Sequence, residues 1–190
     1  MIKHFDNFSL LADESGGKPV VLAANYPPVL VPAEIFDENL KQKYLSLYFD
    51  LSELSEVYCG DIAEYKAIFS LDKQDLFLAG RENRDFEVNH FLLYLYDKLH
   101  TEKQLPENTL VVVANAATAD YWLKVNGKLM LLNRFSFTTK EDFLYMVLNV
   151  LVQYNIEFND CALYITDRAT NTEAIDLVRQ YGANVEEVEF

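Results

Sequence analysis

The order of strands and helices in the second half of the chain constrains the fold more than any other feature. The segments LVVVANA, ADYWLKV and KLMLLNRFSF predict three strands. Asn126-Gly127 joins the last two in a tight hairpin, because both residues accept positive φ. A helix, the buried strand CALYITD, a second helix and a closing strand in VEEVEF follow. The predicted order is β-β-β-α-β-α-β, an α/β arrangement on a mixed sheet.

Local signals predict the ends of these elements. Thr138-x-x-Glu141 and Thr170-x-x-Glu173 match the capping box and predict where the two helices begin. Gly182 predicts a left-handed stop to the second helix. We expect the closing strand to lie at a sheet edge, where its acids deter further pairing.

The first half of the chain follows a looser version of this order. Apolar runs on either side of DESGGKP predict a hairpin, and Pro32 marks an edge, a bulge or a strand end in VLVPAEIF. An amphipathic helix is predicted from Asp37. The later elements are strands over Glu56–Ile62 and Tyr65–Leu71, a helix ending near Gly80, a strand over Phe86–His90 and a helix in FLLYLYDKLHTEK. QLPENT breaks the pattern, which predicts an N-terminal lobe of residues 1–105 and a C-terminal lobe of residues 106–190.

The predicted order resembles the ribonuclease H-like unit, which occurs twice in the actin-like ATPases. VPAEIFDENLKQKYL and NRFSFTTKEDFLYMVLNVLVQY resemble a Bacteroidetes family, domain of unknown function 3822, over Pro27 to Phe190. The resemblance implies an actin-like ATPase fold of two ribonuclease H-like lobes, each with a mixed sheet and flanking helices. The chain is shorter than we expect for the family, so the first lobe is expected to be reduced in its opening hairpin. The resemblance implies no known activity.

In the actin-like ATPases, an Asp near the end of the first strand orders the metal and a glycine-rich turn meets the phosphates. Matching the end of LVVVANAATAD to that motif puts Val113 at the Asp and NAA at the glycines. Valine cannot order a hydrated Mg²⁺, and an alanine in a left-handed conformation costs about 1–2 kcal/mol. The resemblance also implies a Gly-Gly pair beside the adenosine, after strand CALYI. This sequence has Thr166-Asp167 at that position. The resemblance therefore implies that the phosphate and metal motifs are not retained.

Three polar residues of this segment remain candidates for contact with a nucleotide: Asn115, Thr118 and Asp120. They either hydrogen-bond a ligand or only complete a turn. No catalytic residue, metal site or cofactor is predicted. A two-metal nuclease would need an acid on the first strand. The other acids of the block are better explained by capping, a strand end and a solvated helix face: Glu141, Asp167 and Asp176.

Composition and charge limit the partners. The chain has 30 Asp and Glu against 16 Lys and Arg, a net charge of −14, which repels nucleic acid and anionic membrane surfaces. No apolar run is long enough for a membrane span or a signal peptide, so we predict a cytoplasmic protein without membrane insertion. Cys59 and Cys161 form no C-x-x-C pair and are predicted to be buried and reduced.

Other residues that could carry chemistry have simpler explanations. His4, His90 and His100 share no metal-ligand spacing, and His90, at a strand-to-helix junction, is predicted to cap the helix or lie in the core. The segment Ser15-Gly16-Gly17-Lys18 lacks the spacing of a phosphate loop and is predicted to be a hairpin turn.

These observations favour a non-catalytic actin-like scaffold or protein-interaction module, with an unidentified protein partner or self-association. Aromatic residues make up 14% of the chain, more than two small cores obviously require, and Tyr and Trp are favoured at interfaces. Two alternatives stay open. One is a nucleotide-binding, ATPase-like enzyme or switch with an atypical phosphate loop. The other is a small-ligand module without catalysis.

Overall fold

The computed structural model describes residues 2–5, 7–11, 18–82, 85–168, 171–182 and 185–188. Contacts between residues divide the chain into two units, Met1–Glu102 and Lys103–Phe190. Each unit has its own mixed or antiparallel sheets with helices packed on them.

The described part of the first unit contains two sheets. Its strands are β1 (Ile2–His4), β2 (Phe8–Leu11), β3 (Val20–Ala23), β4 (Val29–Pro32), β5 (Ser55–Ile62), β6 (Tyr65–Asp72) and β7 (Glu87–His90). Its α-helices are α1 (Lys41–Ser46), α2 (Lys73–Glu82) and α3 (Phe91–Glu102). One sheet has the order β1-β2-β3-β7, in which β3 and β7 are parallel, and the other has the antiparallel order β4-β6-β5. The turn predicted in DESGGKP, with Ser15-Gly16-Gly17, lies mostly outside the described residues.

The three-stranded sheet carries α1 on one face, where Leu45 is buried with Val31 and Ile68. Pro32 ends the edge strand β4, which is one of the three roles predicted for it. The helix predicted from Asp37 is shorter than expected. Its first turn is a 3-10 turn over Glu38–Leu40, and the α-helical part ends at Ser46.

His90 joins β7 to α3 and is buried. Leu92 N donates to His90 Nδ1 at 3.1 Å, so the imidazole caps the first turn of the helix. Because Nδ1 accepts, Nε2 carries the proton and donates to the Tyr26 carbonyl at 2.8 Å. The capping or core role predicted for His90 is confirmed.

The second unit contains one five-stranded sheet in its described residues. Its elements are β8 (Thr109–Ala114), β9 (Thr118–Val125), β10 (Lys128–Ser136), α4 (Lys140–Gln153), β11 (Ala162–Asp167), α5 (Thr172–Tyr181) and β12 (Val185–Glu187). The strand order is β10-β9-β8-β11-β12. The first two pairs are antiparallel, whereas β8, β11 and β12 run parallel. The predicted β-β-β-α-β-α-β order and the edge position of the closing strand are confirmed.

The two mixed sheets differ in which strand lies beside the parallel neighbour. In the second unit it is the first strand, β8, that pairs with the parallel strand β11. In the first unit it is the third strand, β3, that pairs with the parallel strand β7. The two mixed sheets therefore differ in which strand joins the antiparallel part to the parallel part.

Alternation along β8 and β9 gives their sheet two buried faces. One face packs on α4 and α5 and contains Leu110, Val112, Ala114, Ala119, Tyr121 and Leu123. The other face includes Val111, Val113, Asp120 and Trp122, which are also buried. A sheet buried on both sides explains the near-continuous apolar run in LVVVA.

The hairpin predicted at Asn126-Gly127 is confirmed, with φ angles of 49° and 79°. The capping box of α4 is displaced by one residue from the prediction: its members are Thr139 and Asp142. Asp142 is preferred over Glu141 because its carboxylate accepts from both Thr138 N and Thr139 N, at 3.1 and 2.9 Å.

The end of α5 differs from the prediction. Gly182 has φ −166° and ψ 152°, an extended conformation open to any residue, so the left-handed stop is wrong. A Cβ at this position would lie 2.2 Å from Phe158 Cε1, so close packing rather than backbone conformation requires glycine here. The capping box predicted from Thr170 lies outside the described residues. Asn171 is the N-cap, and its side chain makes no cap hydrogen bond.

Candidate functional site

The segment LVVVANAATAD forms most of β8, a two-residue turn and the start of β9. Asn115 N donates to the Thr118 carbonyl at 2.8 Å, which closes the turn around Ala116 and Ala117. Positive φ angles in the described chain lie elsewhere. The turn therefore lacks the left-handed backbone with which glycines shape an anion-binding nest.

Val113 and Asp120 lie directly opposite each other on β8 and β9, so their side chains share one face of the sheet. Both are almost completely buried. The position at which the resemblance implied a metal-ordering Asp therefore holds an isopropyl group, which offers no oxygen ligand to a hard cation. Asp120 is the carboxylate adjacent to it.

Asp120 is engaged by Arg134 from the neighbouring strand β10. Arg134 Nε donates to Asp120 Oδ1 at 2.6 Å, and Arg134 Nη2 donates to Asp120 Oδ2 at 2.7 Å. The Asp120 side chain is 4% exposed and the Arg134 side chain 17%. Two parallel, charge-assisted hydrogen bonds of this kind are the strongest geometry available to an arginine and a carboxylate. The carboxylate is therefore both neutralised and oriented from within the protein.

A β-bulge produces this pairing. The hairpin begins with Lys128 opposite Val125, and an unbroken ladder from there would place Asn133 opposite Asp120. The register shifts by one residue around Met130, so that Arg134 lies opposite Asp120 instead. Without the bulge, Arg134 would point to the other face of the sheet.

A second arginine approaches the same carboxylate. Arg168 follows β11, and its backbone N donates to the Ala114 carbonyl at 2.9 Å. Its Nη1 lies 3.5 Å from Asn115 Oδ1. Burial lowers the pKa of the Arg168 guanidinium, the Asp120 carboxylate acts in the opposite direction, and the Arg134 cation adds to the lowering. The buried Asp120 carboxylate therefore interacts electrostatically with two guanidinium groups, those of Arg134 and Arg168.

Side-chain amides connect this pair to the start of α5. Asn171 Nδ2 donates to the Asn115 carbonyl at 3.0 Å and to Asp167 Oδ1 at 3.0 Å. Asn171 N donates to Asp167 Oδ2 at 2.5 Å. Thr166 Oγ1 donates to the Val188 carbonyl at 3.1 Å. Thr166 and Asp167 stand where the resemblance implies a Gly-Gly pair beside the adenosine. Both side chains instead make hydrogen bonds within the second unit.

We call Asn115, Asp120, Arg134, Arg168 and Asn171 the Asp120 cluster. Of the three candidate residues, it contains Asn115 and Asp120, with Asn115 Nδ2 lying 3.4 Å from Asp120 Oδ2. Thr118 lies across the turn, where its carbonyl accepts from Asn115 N. Sequence reasoning missed both arginines and Asn171. The bulge hid Arg134, and the parallel pairing of β11 with β8, which brings Arg168 and Asn171 to the turn, depends on long-range contacts.

Other potential sites are sparse in the described residues. They contain no group of three or more His, Cys, Asp and Glu side chains placed to hold a metal ion. Both cysteines are free thiols, but only Cys161 is buried as predicted, since Cys59 on β5 is only partly buried. Burial raises the pKa of the Cys161 thiol to about 11, which leaves it protonated at neutral pH. The side chain of His4 lies outside the described part of the structure.

The sequence matches the model of one protein family over residues 4–185, the family described as protein of unknown function (DUF3822). The chain belongs to this family. None of the curated proteins matches it. In the described part of the chain, every helix is too short or too polar to cross a membrane.

The solved structures that resemble the chain include the following two. A protein of unknown function with an actin-like ATPase fold from Bacteroides thetaiotaomicron is 17% identical, with a TM-score of 0.73, over 89% of this chain and 67% of that one. The PilM–PilN type IV pilus biogenesis complex provides the second, at 12% identity and a TM-score of 0.54, over 90% of this chain and 68% of that one. These likenesses show the fold alone. The actin-like ATPase fold predicted from the sequence is confirmed.

Proposed function

We propose that this member of the DUF3822 family is a non-catalytic actin-like protein that acts as a scaffold or adaptor through contact with another protein. The observation that carries the proposal is the buried, bidentate pair of Asp120 and Arg134 beside Val113. A nucleotide-binding actin-like site needs a carboxylate free to order hydrated Mg²⁺. Here Arg134 binds the Asp120 carboxylate, and the neighbouring residue, Val113, has a hydrocarbon side chain.

Three further features support the proposal. The turn at Ala116–Ala117 lacks left-handed backbone for phosphate contact, and Thr166 and Asp167 are engaged within the unit. Several large apolar side chains are exposed, as expected of a protein that binds others. PilM, which shares the fold, occurs in a complex with PilN. The cytoplasmic location and the lobe boundary at residues 105–106 remain predictions from the sequence.

Calorimetry with Mg-ATP, Mg-ADP and Mg-GTP tests the proposal. We expect no heat of binding at millimolar nucleotide. Micromolar binding that Thr118→Ala weakens would contradict the proposal, provided that Thr101→Ala leaves it unchanged. Thr101 is a suitable control because its hydroxyl is exposed on α3, where it donates to the Asp97 carbonyl.

The alternative is a nucleotide-dependent enzyme or switch with an atypical phosphate loop. The observation that favours it is the pair of guanidinium groups, Arg134 and Arg168, near the end of β8, because guanidinium binds phosphate oxygens in a bidentate manner. A nucleotide would then have to displace Arg134 from Asp120. Under this alternative, Arg134→Met abolishes nucleotide binding in the same titration.

A further inference from the structure

An exposed apolar surface surrounds α1 in the first unit. Ile35 is 69% exposed, Leu47 72% and Tyr48 69%, and Leu40 is also exposed. The opposite side of the helix is buried through Leu45. These four exposed side chains lie in the turns before and after α1 rather than on the helix itself, and a group of exposed apolar side chains of this kind is typical of an interaction surface.

Helical spacing and one hydrogen bond relate these side chains to Tyr44, which is itself partly buried against Val31, Leu45 and Ile68. Leu40, Tyr44 and Leu47 are spaced by four and three residues, which places them on one side of a helix. Tyr44 connects this row to the preceding turn, since its hydroxyl lies 3.4 Å from the Ile35 carbonyl. We call Ile35, Leu40, Tyr44, Leu47 and Tyr48 the α1 surface.

The residues that flank the α1 surface in the sequence, which we call its rim, are acidic on balance. Residues 33–54 contain five acids, Glu34, Asp37, Glu38, Asp50 and Glu53, and two lysines, Lys41 and Lys43. Lys41 is already paired with Glu38 at 2.7 Å. The surface therefore combines an apolar centre with a rim that is negative on balance, in a chain whose net charge is −14.

The charge decides between the possible occupants. A second copy of the chain would bring the same acidic rim and a like net charge, which opposes association. An anionic membrane would be repelled for the same reason. A segment with apolar side chains on one side and lysine or arginine on the other complements both the centre and the rim.

We propose that the α1 surface binds a basic, amphipathic helical segment of a partner protein. This assignment rests on the proposed scaffold function and names the chemistry of the partner. The six residues of α1 span roughly 9 Å at the helical rise of 1.5 Å per residue, which matches about two turns of a docked helix. Leu47 and Tyr48 supply the apolar anchors, and the acids around them orient the basic side of the segment.

The test uses the full chain and a fluorescent peptide of leucine and lysine arranged for an amphipathic helix. A scrambled peptide of the same composition controls for charge alone. Fluorescence anisotropy is expected to show tighter binding of the amphipathic peptide. The double variant Leu47→Ser/Tyr48→Ser should weaken that binding about tenfold or more, since a few central anchors carry most of the energy of such interfaces.

The matched control removes two equally exposed apolar side chains from α4, in Tyr145→Ser/Val152→Ser. It should change the affinity by less than about a factor of two, as expected away from an interface. Equal binding of the scrambled peptide, equal loss in the two double variants or no binding at all would overturn the assignment. A dimer that Leu47→Ser/Tyr48→Ser dissociates in sedimentation would also overturn it, in favour of a second copy.

This test is separable from that of the proposed function. The α1 surface lies wholly within the first unit, whereas the Asp120 cluster lies wholly within the second. Failure to bind the peptide removes the α1 assignment and leaves the nucleotide titration unaffected. Nucleotide binding by a chain that also binds the peptide contradicts the proposed function and leaves the α1 surface in place.

Discussion

Replacing Asp120 by Asn tests the energetic role of the buried ion pair. Asparagine keeps the shape of the side chain but removes the carboxylate charge that Arg134 engages across the strand pair. Its amide would also present a donor to a guanidinium that only donates. Breaking a buried ion pair by removing one partner costs about 3–5 kcal/mol. Because water still reaches the Arg134 side chain, we expect the lower end, about 3 kcal/mol.

Urea unfolding followed by fluorescence measures this loss in the second unit directly. Trp122 is the only tryptophan in the chain, and it lies two residues from Asp120 on the same strand, fully buried. With a urea m-value of about 1.5 kcal/mol/M, the midpoint of Asp120→Asn should fall by about 2 M. Asp176→Asn is the control, because it breaks an exposed ion pair with Arg179 on α5, worth about 0.5 kcal/mol or less.

A second variant separates loss of the pair from loss of packing. In Asp120→Asn/Arg134→Met no unpaired guanidinium remains at the Arg134 position, so the double variant should be more stable than the sum of the two single losses predicts. If Asp120→Asn shifts the midpoint no more than Asp176→Asn does, the pair contributes little and this reasoning is refuted. Additive single losses would contradict the coupling of Asp120 to Arg134.

Three further predictions concern glycine packing, the cap of α4 and the pH dependence of that cap. Gly60→Ala should cost about 1–2 kcal/mol of stability, because its Cβ would lie 2.4 Å from Cδ2 of the buried Leu93. Gly80→Ala, whose Cβ would have no contact closer than 3.8 Å, should instead stabilise α2 by about 1 kcal/mol. Calorimetric melting of the two variants checks that their effects have opposite signs. Thr139→Ala should cost about 1 kcal/mol through loss of the α4 cap. Hydrogen bonds from Thr139 and Thr138 lower the pKa of Asp142, so its contribution is present above the unfolded pKa and is lost as pH falls through the lower folded pKa. Acid titration of stability should therefore show a shallower decline for Asp142→Asn than for the wild type, and an equal decline would contradict this.

The fold of the second unit could be predicted from the sequence because its signals are local. Each strand has its own apolar run, and Asn126-Gly127 specifies its turn without reference to the rest of the chain. The helix predicted from Asp37 was too long because no local signal in the sequence marks its end. The periodicity continues through Leu47 and Tyr48, but the backbone leaves the helix at Ser46 and exposes both side chains.

The Asp120 cluster could be predicted only in part. Asn115 and Asp120 stand in one short segment, and the replacement at Val113 was evident from the resemblance. Arg134 could not be placed, because a bulge at Met130 has no dependable sequence signal and changes which residue lies opposite Asp120. Gly182 shows a related limit, since contact with Phe158, rather than turn conformation, requires a glycine there.

Arg134 donates two hydrogen bonds to the Asp120 carboxylate, and we propose that this pairing keeps the carboxylate from a metal–nucleotide complex. The Nε–H resonance of Arg134 in an NMR spectrum reports on that hydrogen bond directly. We expect a slowly exchanging Nε–H signal in the wild type that does not move when millimolar Mg-ATP is added. In Asp120→Asn this signal should lose its protection from exchange. A rapidly exchanging signal in the wild type, or one that shifts in a saturable manner with Mg-ATP, would contradict the proposal.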